Sequence, residues 1–515
     1  MSNPDRKCRE IWHLNLVRKS QRGINMKKWP SLLLVPLLAA CSTTVITSGS
    51  SKIESKAESK VDPTASQAVE SLDTPAAPAV VEPPKQKLAQ SFGFTYPDAV
   101  RGIYVTAHSA GGDRMSELLD LVDKTALNAM VIDIKDDWGV ITYKMDDPGL
   151  QTFSQSIVKD PNALIETLKQ HNIYPIARIV VFKDSLYAKA HPELSFVNPN
   201  GTVWTNGRGE AFVNPFLQDV WKYNVEIAKK AAELGFQDIQ FDYVRFPEGF
   251  EKMDSTLKYG MGEYKDRTPT KFTQLQKQHQ EALAAFEAKK AELKKQQETA
   301  QAKVADLKGK ESLTDEQKKE LQSAEEALAK ATADLQNHEK SAPQAPQFSE
   351  KERLVQLRVD AVTDFVSYAK KELEPYGVKV SVDIFGYSAT LPETPGIGQN
   401  FSRICENVDV ISSMIYPSHW GPGYFHIPKP DLEPYRLVDE YAKAESEKLG
   451  ALKNKVISRP WIQDFTASWL GGGNYKRYGK AEVEAQIQAL KANGINEFLL
   501  WNAGNSYTNG VDYTP

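Results

Sequence analysis

The sequence predicts an α/β fold closed into a (β/α)8 (TIM) barrel. Three observations predict it: from about residue 100 short β-branched runs alternate with longer amphipathic patterns, eight such runs can be counted, and several helical stretches end on a glycine that opens into the next run. The runs span 102–107, 129–134, 174–182, 238–245, 379–385, 408–416, 455–462 and 496–501. The intervening helical patterns include 113–125, 160–171, 217–234, 354–373 and 480–493. Asp160-Pro161 places a capping carboxylate before a proline whose fixed φ suits a first helical turn. Leu234-Gly235-Phe236 and Asn493-Gly494-Ile495 read as helix ends. An open doubly wound sheet is the structural alternative. It would want a glycine-rich phosphate loop after its first strand, where Thr106-Ala107-His108-Ser109 stands instead.

An insertion at 266–348 divides the barrel into a first half (96–265, strands one to four) and a second half (349–515, strands five to eight). It is dominated by Ala, Glu, Lys, Gln and Leu, with Phe272, Leu275, His279, Phe286, Leu293, Val304 and Leu307 at helical and near-heptad spacing. The pattern breaks at Gly309 and resumes after Thr314-Asp315-Glu316-Gln317, a capping-box spacing. An antiparallel helical hairpin of coiled-coil type is expected after strand four. Its exposed charge and reach suit either a solvated spacer or a docking arm for a protein partner or for substrate.

The front of the chain reads as an address. Lys27 and Lys28 precede an apolar run that ends Leu38-Ala39-Ala40-Cys41 before small polar residues. This is the pattern of a lipoprotein signal over 26–40 with lipid on Cys41. Residues 1–25 are charged and do not fit a signal, so Met26 is the expected start and 1–25 an upstream extension. The stretch to about residue 95 is rich in Ser, Ala, Glu, Lys and Pro, with little to bury, and should be a disordered tether. The expected location is the cell envelope, extracytoplasmic and held to the membrane by lipid; Ser42 would suit an outer membrane where the cell has two.

Composition limits the function classes. In 515 residues, 41% are hydrophobic and 10% aromatic, enough for a large core, and the net charge of -4 gives no field suited to nucleic acid. With lipid on Cys41, only Cys405 of the three cysteines would remain as a free thiol in the folded part, so neither a disulfide framework nor a thiolate metal site can be built. No His/Asp spacing suggests a metal and no motif suggests a cofactor.

Polar residues inside barrel strands need a reason, and three aspartates qualify: Asp133, Asp242 and Asp383. Alternation puts Gln240, Asp242 and Val244 on one face of strand four, and Asp133 with Lys135 on one face of strand two. Lys135 and Arg245 are the obvious cations to balance the carboxylates, with Arg245 on the opposite face from Asp242 and suited to the rim. Two carboxyl groups on neighbouring strands are what glycosidic cleavage requires: one protonates the leaving oxygen while the other attacks the anomeric carbon or activates water. Asp242 is the candidate nucleophile or base and Asp383 the candidate acid or substrate-fixing group; a structural ion-pair network is the bland alternative. Substrate-binding candidates at the strand ends are Asp133, Lys135, Asp136, Tyr243, Arg245, Tyr416, His419, Trp420, Trp461, Gln463, Asp464, Trp501 and Asn502. Aromatic faces stack on pyranose rings, and the polar groups bond hydroxyls.

At Phe241-Asp242-Tyr243-Val244-Arg245-Phe246-Pro247 the chain resembles the bacterial family known as the putative glycosyl hydrolase domain, distantly related to the α-amylase clan. The resemblance extends through Arg101-Gly102-Ile103-Tyr104-Val105-Thr106, Val131-Ile132-Asp133-Ile134-Lys135-Asp136, Ala188-Lys189-Ala190-His191-Pro192-Glu193, Ile384-Phe385-Gly386 and Met414-Ile415-Tyr416-Pro417-Ser418-His419-Trp420. It implies a TIM barrel and a polysaccharide or oligosaccharide substrate, with Asp242 at the strand-four position that serves as nucleophile in amylase-like enzymes. Those enzymes use a Glu after strand five as acid. This chain departs from them, offering Asp383 within the strand, with Glu393 the nearest Glu downstream. The expected activity is hydrolysis or transfer at a glycosidic bond; the rival is a non-catalytic glycan-binding or scaffolding lipoprotein.

Overall fold

The computed structural model describes residues 88–514. The expected upstream extension, signal, lipid-bearing Cys41 and most of the tether lie outside the described residues. Nine parallel strand segments occur among the described residues: β1 (Arg101–Val105), β2 (Ala129–Lys135), β3 (Tyr174–Val180), β4 (Asp238–Asp242), β5 (Lys379–Phe385), β6 (Val410–Met414), β7 (Ile457–Ser458), β8 (Trp461–Gln463) and β9 (Phe498–Trp501). They pair in the order β5-β4-β3-β2-β1-β9-β8-β6-β7, and β5 also pairs with β6, which closes the barrel. Among the described residues the helices of ten residues or more are α1 (Arg114–Asp123), α2 (Pro161–Gln170), α3 (Gln218–Leu234), α4 (Thr270–Lys308), α5 (Asp315–Glu339), α6 (Glu350–Leu373), α7 (Pro434–Gly450) and α8 (Lys480–Ala492).

Eight staves are thus built from nine segments, because the seventh is broken. Pro460 has no N–H to give to the ladder, so β7 stops before Arg459 and β8 resumes at Trp461. Alternation sorts the side chains into two cores. Ile103, Val105, Met130, Ile132, Ile239, Phe241, Val380, Val382 and Ile384 face outward into the layer under the helices. Tyr104, Val131, Ile176, Trp461 and Leu499 fill the barrel itself. At the N-terminal foot Arg459 pairs with Asp238 and Glu497, each at 2.8 Å, and the Tyr96 hydroxyl bonds Glu497. Caps follow the sequence: Asp160 accepts the Ala163 N–H with Pro161 in the first turn of α2, α3 closes on Gly235, and Thr314 with Gln317 forms a capping box on α5.

The insertion folds as two helices, α4 and α5, in antiparallel order. Lys308–Glu325, Lys303–Glu320 and Lys290–Glu339 ion pairs rung the two together, with a Gln297–Thr332 hydrogen bond between them. Near its tip Val304, Leu307 and Ala324 make a small apolar cluster of their own. At its base the rings of Phe272 and Phe348 stack with centroids 3.7 Å apart.

Candidate active site at the mouth of the barrel

The C-terminal ends of β1 to β5 carry inward-facing polar groups that meet around one arginine. Arg178, on β3, is 1% exposed; its guanidinium reaches Asp133 at 2.7 Å, Asp137 at 3.0 Å, and Asp242 Oδ2 at 3.0 Å from Nε and 2.6 Å from Nη2. Register explains the meeting, since Arg178 lies opposite Asp133 on β2 and Val180 lies opposite Asp242 on β4. Asp133 also accepts the Tyr104 hydroxyl at 2.5 Å. Burial raises its carboxyl to about 6, against the pull of Arg178. Burial pushes Asp137 upward as well, but Arg178 and Lys183 outweigh it and hold this half-exposed carboxylate below its usual range.

Asp383, on β5, is built differently. Its Oδ1 accepts Gln240 Nε2 at 2.6 Å and the Trp461 indole N–H at 2.7 Å, both neutral donors, and no donor among the described residues reaches Oδ2. Burial, and after it the charge of nearby Asp242, push this carboxyl well above the usual carboxylate range. Asp242 carries the guanidinium on Oδ2, while its Oδ1 accepts the N–H of Tyr243 at 2.5 Å. That contact accompanies the turn of Tyr243 to φ +52°, unusual for an aromatic residue, which ends β4 at Asp242 rather than at the expected Arg245. Tyr243 lies between two cations, with Lys183 Nζ at 4.1 Å and the Arg245 guanidinium at 4.8 Å from its ring centre.

One expected neighbour is absent from the cluster. Lys135 does not share a face with Asp133: β2 bulges between them, spending two residues where β3 spends one, so the alternation slips and Lys135 turns out of the barrel. There it pairs with Asp184 at 2.6 Å and Asn224 at 2.9 Å, and burial pulls its ammonium down. The cation that balances the carboxylates is Arg178, which the sequence reading did not single out. Its signal was a lone Arg on the same parity as Tyr174 and Ile176 in an apolar run. Arg245 sits on the rim, over Tyr243 and Phe385 and paired with Glu248 at 3.2 Å.

The remaining candidates divide. Trp501 is partly exposed and stacks on Tyr104 at 4.2 Å, and Tyr416 and His419 lie beside it in a ring cluster with Phe465. Trp461 is in the barrel but 1% exposed, so it forms the floor under Asp383 rather than a wall of the cleft. Trp420 faces the other way, against Tyr424, Phe425 and Tyr441 under α7, in the gap that Gly386 leaves; a Cβ there would come within 2.9 Å of the indole. Four polar candidates act as loop braces. Asp136 holds the N–H groups of Trp138 and Val140, Gln463 bonds Ser418 N and Asp431, Asp464 accepts twice from Thr508, and Asn502 ties the carbonyls of Asp464 and Ser506. Glu393 is outside the mouth, held by Lys271 and Gln356.

Among solved structures, the chain is similar to a hypothetical protein of Ruminiclostridium thermocellum at 34% identity, covering 31% of this chain and 83% of that one, with a TM-score of 0.29. It is similar to the PgaB glycoside hydrolase domain of Bordetella bronchiseptica at 12% identity (78% of this chain, 94% of that chain, TM-score 0.44). A β-galactosidase of Bacillus circulans matches at 15% identity (81% of this chain, 53% of that chain, TM-score 0.42). A search of curated proteins gives no match. The family described as the putative glycosyl hydrolase domain matches residues 102–507, which run from the second residue of β1 past the end of β9, and the chain belongs to that family.

Proposed function

We propose that the chain cleaves, or transfers at, a glycosidic bond of a polysaccharide, with Asp383 as proton donor and Asp242 as nucleophile or base. One observation carries the reading: two carboxyl groups on adjacent staves of the mouth have opposite partners. Asp242 carries a guanidinium, whereas Asp383 has only neutral donors and burial that favours its protonated form. Environments that separate two carboxyl groups in this way are how one site supplies both an acid and a base. The proton would leave Asp383 from Oδ2, the oxygen without a protein donor, for the glycosidic oxygen as the bond to the anomeric carbon breaks. Asp242 would attack that carbon or take a proton from the water that does.

A second reading has its own support. Both oxygens of Asp242 are engaged, Oδ2 twice by Arg178 and Oδ1 by Tyr243 N, as in a purely structural network, and a glycan-binding scaffold would need no more. Release of reducing ends from a panel of envelope and storage polysaccharides separates the two. Turnover of one polymer by the full chain, lost in Asp242→Asn and in Asp383→Asn, supports the hydrolase; binding without turnover by the unsubstituted chain supports the scaffold. The Lys27-to-Cys41 pattern adds that this work is done outside the cytoplasm on a lipid anchor. Metabolic labelling with palmitate, lost in Cys41→Ser, tests that part.

A further inference from the structure

Two tryptophans that the reading above leaves unused are among the most exposed large apolar side chains of the described residues: Trp138 at 51% and Trp469 at 52%. Both are on loops at the mouth. Trp138 follows β2 and is next in sequence to Asp137, whose carboxylate reaches Arg178. Trp469 lies on the loop after β8 and leads back to the same centre through rings. It stacks on Phe465 at 5.8 Å and 20°, Phe465 meets Tyr416 at 5.8 Å, Tyr416 meets Trp501 at 6.4 Å, and Trp501 stacks on Tyr104, whose hydroxyl bonds Asp133. Round the barrel in the order β2-β3-β4-β5-β6-β8 the staves of Asp242 and Asp383 stand between the two loops, with Tyr104 and Trp501 between them on the other arc, β2-β1-β9-β8, so the exposed indoles leave the rim on either side of the carboxylates.

The turn beneath Trp138 is over-determined. Asp136 Oδ1 accepts both Trp138 N and Val140 N at 2.9 Å, and the Trp138 carbonyl accepts Ser185 N and Leu186 N at 3.1 Å each. Gly139 has φ +95° and stands so close to Asp184 that a Cβ would meet its Oδ1 at 1.9 Å. A loop fixed this firmly that still leaves a large indole half in water has the form of a stacking platform.

We propose that Trp138 and Trp469 are sugar-stacking platforms of two subsites on opposite sides of the carboxylates. The ligand is then an internal stretch of a linear polysaccharide lying across the mouth, not a chain end or a small glycoside. The proposal rests on the glycosidase reading for what happens between the platforms, but the platforms themselves can be tested without turnover.

The test is affinity electrophoresis of the full chain through gels cast with soluble starch, laminarin, hydroxyethylcellulose, xylan or glycol chitosan. At least one polymer should retard the protein. Trp138→Ala and Trp469→Ala should each weaken that retardation about three- to ten-fold, the worth of one aromatic stack. Trp138→Phe and Trp469→Phe should retain most of it, and Leu283→Ala, an exposed apolar residue on α4, should behave as the unsubstituted chain. Absence of retardation in all five gels, or full retardation in either alanine variant, overturns the proposal; so does a cleaved polymer that yields single sugars from its ends while its viscosity persists. Retardation that depends on both tryptophans without any release of reducing ends keeps the platforms and overturns the hydrolase instead.

Discussion

The barrel carries an arginine among carboxylates at each end, and the two clusters are built to different standards. At the foot Arg459 and Asp238 are fully buried, Glu497 nearly so, and the Tyr96 hydroxyl completes the set. Each carboxylate there has the guanidinium, and the group is sealed. At the mouth Arg178 serves Asp133, Asp137 and Asp242 at once, with Lys183 beside the 43% exposed Asp137, and Asp383 accepts hydrogen bonds only from neutral donors. The foot spends its charges on one another, as a plug must. The mouth gathers more carboxyl groups than it pairs with cations, and burial pushes Asp383 up toward its protonated form, which is a poor way to hold a barrel together and what the proposed proton donor would need.

Four measurements would sharpen or break this contrast. The largest effect is expected from Asp383→Asn: turnover of the polymer substrate falls about 10²- to 10⁴-fold, the usual worth of a general acid. The melting temperature should stay near that of the unsubstituted chain, since the amide oxygen still accepts from Gln240 and Trp461. A large loss of stability would put Asp383 with the foot rather than the mouth. Arg459→Met should do the reverse, leaving Asp238 and Glu497 buried without their cation at a cost of about 3–5 kcal/mol in urea unfolding. If unfolding is unchanged, the foot is not the plug described.

A third measurement concerns a carboxyl in neither cluster. Glu445, on α7, is fully buried with only the Ser413 and Ser458 hydroxyls as donors, and burial raises it from 4.5 to about 7. The folded state therefore holds this proton more tightly than the unfolded chain. The resulting stability is fully present below about pH 4.5 and is lost as pH rises toward 7, by on the order of 3 kcal/mol at ~1.4 kcal/mol per pK unit. Stability measured against pH for the unsubstituted chain and Glu445→Gln should diverge over that window, with the variant lacking the decline; parallel curves refute the assignment. The smallest effect is expected from Trp461→Phe, which removes one donor from Asp383. The alkaline limb of kcat/KM should move up by about one pH unit, the worth of a hydrogen bond to a charged group of ~1.5 kcal/mol. A limb that stays in place would mean that another group supplies the proton.

Much of this molecule was legible before its structure. Ile103, Met130, Ile239 and Val382 mark their strands by apolar alternation, and Asp160, Gly235 and Thr314 mark helix ends, because both signals are local. Asp242 and Asp383 stood out as inward carboxylates on neighbouring strands. Three things were not legible. The bulge after Asp133 reversed the direction of Lys135, since a single inserted residue flips everything after it and leaves no mark in composition. Arg178 was hidden within an otherwise apolar run. Past the strand ends parity no longer predicts direction, which is why Trp420 turned away from the mouth and why Asp464 and Asn502, chemically fit to bond a sugar, are occupied in tying loops together.

The paired rings at the base of the insertion bear on how such a barrel can assemble. Strands β4 and β5 lie side by side, with Asp238 opposite Lys379, yet residues 243–378 intervene between them. Pairing strands across so long a gap would ordinarily delay their meeting, since the ends of a long floppy segment must find each other before any contact rewards them. Here α4 and α5 can zip locally, through neighbours in sequence, and the Phe272–Phe348 stack brings the two ends of the excursion to 3.7 Å. Once the hairpin has formed, the polymer that the closing sheet must gather in is only the chain from 243 to 272 and from 348 to 378, and the long helical arm adds almost nothing to the search.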